Sequence, residues 1–145
     1  MQVDFYQLSA DPVEKVLPAI AQRILESGER LLVVDEREGV LEVLSRALWQ
    51  WQPDSFLAHG ITGDENDTAQ PILLSGEHNP ANSARHVALT DGIWRDWALD
   101  FDRAFYFFDA QSIEGARACW RDLAGREGVS PRFWRQEGRK WVQGP

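Results

Sequence analysis

Apolar positions in the first fifty residues switch between two spacings. VDFYQL (3–8) is a short run rich in β-branched and aromatic residues, the pattern of a strand. Asp11 followed by Pro12 has the form of a helix N-cap and first helical position. Val13, Val16, Leu17, Ile20 and Ile24 then recur at helical spacing, and Gly28 supplies the stop. RLLVVD (30–35) is continuously apolar, as a strand covered on both faces of a parallel sheet requires. Val40, Val43, Leu44, Ala47 and Leu48 form the inner face of a second helix. Strand, helix, strand, helix in this order predicts an α/β domain of three layers, a mostly parallel sheet with helices on both faces.

The later pattern continues that architecture. GITGDENDTAQ (60–70) is polar and Gly-containing, hence a surface loop. PILLS (71–75), HVALT (86–90) and FDRAFYFF (101–108) read as strands, with turns at NPANSAR (79–85) and Asp91-Gly92. Gln111 to about Gly125 reads as a third helix capped by Ser112. After a break from Gly128 to Pro131, RFWRQ (132–136) and RKWVQ (139–143) predict a closing turn or hairpin. No repeat or long linker divides residues 1–145, so the chain reads as one domain, large enough for its own core. The order of strands in the sheet does not follow from this pattern.

Charge changes the picture. The net charge of −8 argues against direct, sequence-specific nucleic-acid binding, because phosphate contacts need clustered Lys and Arg. The charge is uneven, however: residues 117–140 hold seven cations and three anions, a local +4, so the rest carries −12. That basic segment is either a solvated face or an anion-binding surface. Seven tryptophans favour a binding surface, since Trp and Arg concentrate at interface hot spots. The first twenty residues carry Asp4, Asp11, Glu14 and Lys15, unlike a signal-peptide core. No stretch reaches the roughly 18 apolar residues of a membrane span. A single cysteine, Cys119, allows no internal disulfide. These features predict a cytoplasmic protein without membrane association.

A search for catalytic chemistry finds little. LLVVDE (31–36) has the form of a Walker B strand, the basis for an alternative reading as a small nucleotide-dependent ATPase or transferase. No GxxxxGK[ST] loop precedes it, and neither Lys15 nor Lys140 lies beside a suitable glycine loop. GxGxxG is absent too. His59, His78 and His86 lack ligand spacing, and DENDT (64–68) lacks the order of a calcium loop. Cys119 sits beside Trp120 in a helix with no histidine near it in sequence, as a packed thiol would. No catalytic residue, metal or cofactor is expected.

Two clusters stand out instead. Arg117, Trp120 and Arg121 lie at i, i+3 and i+4, on one helical surface. Two guanidinium forks beside an indole suit an anion attached to an apolar group, such as an acidic peptide ending in an aromatic residue. Periodicity equally allows Trp120 to pack inward with Ala116, Cys119 and Leu123 while the arginines reach water. In ALWQWQPDSFLAHG (47–60), Trp49, Trp51 and Phe56 crowd around Pro53, either capping the core or forming an exposed partner interface.

Taken together, FYQL, RLLVVDERE, LSRALW, PDSFLAHG, PILLS, NPANSARHVALTDG, ARACWRDL and FWRQEGRKW, in this order, resemble the chi subunits of bacterial DNA polymerase III. The resemblance implies a Rossmann-like domain without nucleotide chemistry, a non-catalytic part of the polymerase complex. It implies two partners: the acidic C-terminal tail of single-stranded DNA-binding protein, and the clamp loader, reached through the psi subunit where one is present. It places Arg117, Trp120 and Arg121 in the tail site, with Arg117 on the terminal carboxylate and Trp120 flanking the last aromatic residue. Arg139, Lys140 and Trp141 are expected to complete that pocket, and Trp49, Trp51 and Phe56 to face psi.

Overall fold

A computed structural model describes residues 1–52, 54 and 56–144. Along them run β1 (Gln2–Gln7), α1 (Val13–Glu26), β2 (Leu31–Val34), α2 (Val40–Trp49) and β3 (His59–Ile61). There follow β4 (Ile72–Ser75), β5 (His86–Leu89), β6 (Arg103–Phe108), α3 (Ile113–Ala124), β7 (Ser130–Glu137) and β8 (Lys140–Gln143). The strands form one sheet in the order β3-β4-β2-β5-β6-β1-β7-β8. All neighbours are parallel except β7 and β8, the antiparallel hairpin at one edge.

Strand alternation divides the core between two layers. Tyr6, Leu31, Val33, Phe105 and Phe107 face α1 and α2, whose Leu17, Ile20, Ile24, Leu44 and Leu48 pack on them. Phe5, Leu32, Val34, Tyr106 and Phe108 face the other way, toward Ala116, Cys119 and Leu123 of α3. Each fully buried Leu or Phe side chain contributes about 1.5–3 kcal/mol, so both layers are needed to hold the sheet. The three-layer, mostly parallel α/β architecture expected from the sequence is the one observed.

Local differences have local causes. Val43 is exposed, because α2 turns Leu44 and Leu48 into the core and leaves Val43 about 100° around the helix. Pro12, not Asp11, takes the cap position of α1, with extended backbone and no side-chain cap bond. Within the expected 60–70 loop the chain first adds β3 to the sheet edge, held by His59. The His59 ring lies 2.8 Å from both the Ser45 hydroxyl and the Leu57 carbonyl, pinning the strand to α2.

One buried charge fixes the position of β7. Asp4 on β1 is fully buried and accepts bonds from Arg103 Nε (2.7 Å), Trp134 Nε1 (3.0 Å) and the Gln2 side-chain amide. A carboxylate taken out of water needs such partners, and here they come from β6 and β7, the strands on either side of it.

Candidate functional site

The β6–α3 connection aims α3 at the sheet. Asp109 accepts from the backbone N–H groups of Gln111 and Ser112, and its own N–H donates to the Ser112 hydroxyl. Ser112 therefore holds the cap position, but its hydroxyl braces the preceding turn and makes no cap bond to the helix. Gly92, at φ +76°, packs beneath it; a Cβ there would lie 2.7 Å from the Ser112 hydroxyl oxygen, so glycine is required.

From that start, α3 turns Ala116, Cys119 and Leu123 into the core. Burial pushes the Cys119 thiol up to about 12, so it stays protonated near neutral pH, as a packed structural group should. Trp120 lies at the margin, half-buried. Its ring is edge-on to Phe5 (centroids 5.1 Å apart, 73°) and to Phe133 of β7 (6.4 Å, 89°). Both readings of Trp120 therefore meet: one edge packs on the core, while the residue also lines an open groove.

That groove has a volume of about 550 Å³. Phe5, Phe108, Trp120 and Phe133 give it apolar surface; Ile113, Ala116, Arg117 and Arg121 form the α3 side, and Gln7 and Arg135 the sheet side. Arg117 and Arg121 are exposed. Arg117 forms an exposed ion pair with Glu114 at 2.9 Å, and Arg135 pairs with Glu137 at 3.0 Å. Among the described residues, Arg121 has no ion-pair partner. A concave apolar surface rimmed by guanidinium groups can hold an aromatic side chain and a carboxylate together.

The structure brings together Arg117, Trp120 and Arg121 but separates the other three expected members of the pocket. Trp141 stacks edge-on against Tyr6, with centroids 5.0 Å apart, on the opposite face of the sheet. The cause is the two-residue period of β8: Trp141 lies across from Gln136, whereas Phe133 and Arg135 point to the groove. Arg139 sits in the hairpin turn, and Lys140 pairs in register with Glu137; neither lines the groove. Expecting all three in the pocket treated adjacency in sequence as adjacency in space. Phe5, Gln7, Phe108, Phe133 and Arg135 were missed because the strands that carry them meet only in the folded sheet. The alternation of Phe133 and Arg135 at i and i+2 was the available signal.

The second cluster also divides. Trp49 is 51% and Phe56 74% exposed, their ring centroids 5.3 Å apart. Trp51 turns inward: its Nε1 donates to Gln22 Oε1 at 2.7 Å and its ring packs against the α1–α2 layer. Pro53, around which these rings were expected to gather, lies outside the described residues. The ring pair stands near the β3 edge, five strand spacings from β1 and therefore about 24 Å away, on the opposite layer from α3.

LLVVDE ends in a closed hydrogen-bond network. Asp35 is buried, and its oxygens accept from Arg37 Nε (3.1 Å), Arg37 Nη2 (2.7 Å), the Arg37 backbone N–H and the Thr90 hydroxyl. Those bonds use the lone pairs a magnesium ion would need. No helix among the described residues is long and apolar enough to cross a membrane.

Comparison with known proteins adds a family. The sequence model described as "DNA polymerase III chi subunit, HolC" matches residues 1–130. DNA polymerase III subunit chi of Escherichia coli K12 is 28% identical over 108 residues, 70% of this chain and 71% of that protein. The same subunit of Haemophilus influenzae is 30% identical over 63 residues, 43% and 44% of the two chains. Among solved structures, the C-terminal domain of Saccharomyces cerevisiae Dbp5, bound to Gle1 and IP6, superposes with a TM-score of 0.56. That match covers 92% of this chain and 90% of the other at 11% identity, a likeness of fold alone.

Proposed function

Because the chain belongs to the DNA polymerase III chi subunit family, we propose that it is a non-catalytic adaptor that grips the acidic C-terminal tail of single-stranded DNA-binding protein in the α3 groove. The observation that carries this reading is the convergence of Arg117, Trp120 and Arg121 on one apolar-floored groove. The tail's terminal carboxylate accepts bonds from the guanidinium groups, and its last aromatic ring lies on the apolar surface beside Trp120. A charge-assisted bond of this kind contributes about 1.5–3 kcal/mol, and two of them with ring burial reach the roughly 8 kcal/mol of micromolar affinity only near the top of that range.

The exposed Trp49–Phe56 pair is the counterpart surface, facing the clamp loader through psi where psi is present. Its distance from the groove lets one molecule hold both partners in the cytoplasm during replication. The order of strands and helices supplies the frame, and no nucleotide is turned over.

Fluorescence anisotropy with a labelled tail peptide tests the groove. Arg117→Ala and Arg121→Ala should each weaken binding about tenfold, a loss of about 1.4 kcal/mol, with unchanged circular dichroism. Removing the peptide's last residue should abolish binding. Full affinity in both arginine variants would sink the reading.

A further inference from the structure

Two of the three groove arginines are already engaged. Arg117 is held by Glu114 on the same helix and Arg135 by Glu137 on the same strand, one pair on each side of the groove. All four side chains are about half exposed or more, so these contacts are weak and exchange readily with solvent. Arg121 lines the same groove with no ion-pair partner among the described residues.

We infer that Glu114 and Glu137 are internal competitors for the incoming carboxylates, and that they set the affinity and the lifetime of the bound peptide. The inference rests on the tail-binding reading of the groove. An arriving carboxylate meets Arg121 first, because nothing has to be displaced there. To reach Arg117 or Arg135 it must replace a glutamate already in place. The glutamate returns when the peptide leaves, so the site resets without a conformational change. An exposed pair of this type is worth a factor of about 1.4 to 5 in an equilibrium constant, enough to tune affinity without closing the site. Such a site favours peptides with an acidic side chain ahead of the terminal carboxylate, since one anion cannot displace glutamates on both sides.

The test uses the full chain and a fluorescein-labelled acidic peptide ending in phenylalanine. Glu114→Gln and Glu137→Gln should each tighten binding about two- to fivefold, mainly by slowing dissociation. Glu114→Asp should tighten it as well, because the shorter side chain keeps its charge but loses the 2.9 Å contact. Glu42→Gln, an equal change of net charge on α2 at the opposite layer, should leave affinity unchanged. Unchanged or weaker binding by both glutamine variants overturns the inference while leaving the groove reading intact. A gain with Glu114→Gln but none with Glu114→Asp overturns it too, since charge alone would then be responsible. A wild-type protein that fails to bind the peptide overturns both.

Discussion

The α3 groove and the ring pair at the β3 edge both present aromatic side chains to solvent, yet they are built in opposite ways. The groove gathers its rings from three strands and a helix: Phe5, Phe108 and Phe133 pack beside Trp120, and Trp120 and Phe133 keep partly exposed edges. Its charges lie at the rim, and on the proposed reading a ligand meets both the apolar floor and a guanidinium group. The edge takes its two rings from one short stretch of chain; they stand outward beside His59, and Phe56 borders a depression lined mainly by polar groups such as Gln22, Glu26 and Asp54. It offers apolar area and little direction. One surface suits a short peptide end; the other suits a broad partner that brings its own shape.

The largest effect should come from Asp4→Ala. Arg103 would lose its partner and Trp134 its acceptor, loosening β7 against β1. Since Arg103 is partly exposed, the cost falls below that of a fully buried pair, at about 2 kcal/mol, or about 6 °C in Tm. Peptide affinity should fall with it, because Phe133 and Arg135 ride on β7, while partner capture by the folded molecule at the ring pair stays intact. Equal losses at both surfaces would show that Asp4 supports the whole sheet.

A smaller effect should appear at the other side. Replacing Trp49 and Phe56 together by Ala removes exposed rings, so stability should change by less than about 1 kcal/mol. Capture of the psi or clamp-loader partner should drop tenfold or more in a pulldown, with tail-peptide affinity unchanged. Any change in peptide binding would mean that the two surfaces are coupled.

The smallest effect acts on both surfaces alike. Burial lowers the pKa of His86 from its ordinary 6.5, and its Nδ1 has no partner among the described residues. The unfolded chain therefore takes up a proton on His86 at a higher pH than the folded protein does. The associated stability is complete above about pH 6.5 and is lost as pH falls toward the depressed folded value. Chemical denaturation from about pH 7.5 to 5 should show a flatter slope for His86→Gln than for the parent. An identical slope would remove His86 from the acid response.

What could be read in the sequence was what the chain decides locally. The inner face of α1, the buried run of β2 and the closing hairpin follow from spacing among near neighbours. The triplet Arg117, Trp120 and Arg121 was visible for the same reason, being one helix turn. The sheet wall of the groove was not, because Phe5 and Phe133 meet only through pairings between β1 and β7, 128 residues apart. Trp141 was misplaced by the same gap: its face depends on the register of β8, which its sequence neighbours do not specify. The short β3 was hidden because its three residues acquire strand character only by pairing with β4.

The match to the family model ends at residue 130, where β7 begins. One bank of the groove, Phe133 with Arg135, thus belongs to a segment outside that match, while the facing bank on α3 lies within it. A substitution at Phe133 or Arg135 would therefore reshape one bank of the groove without touching the helix that forms the other.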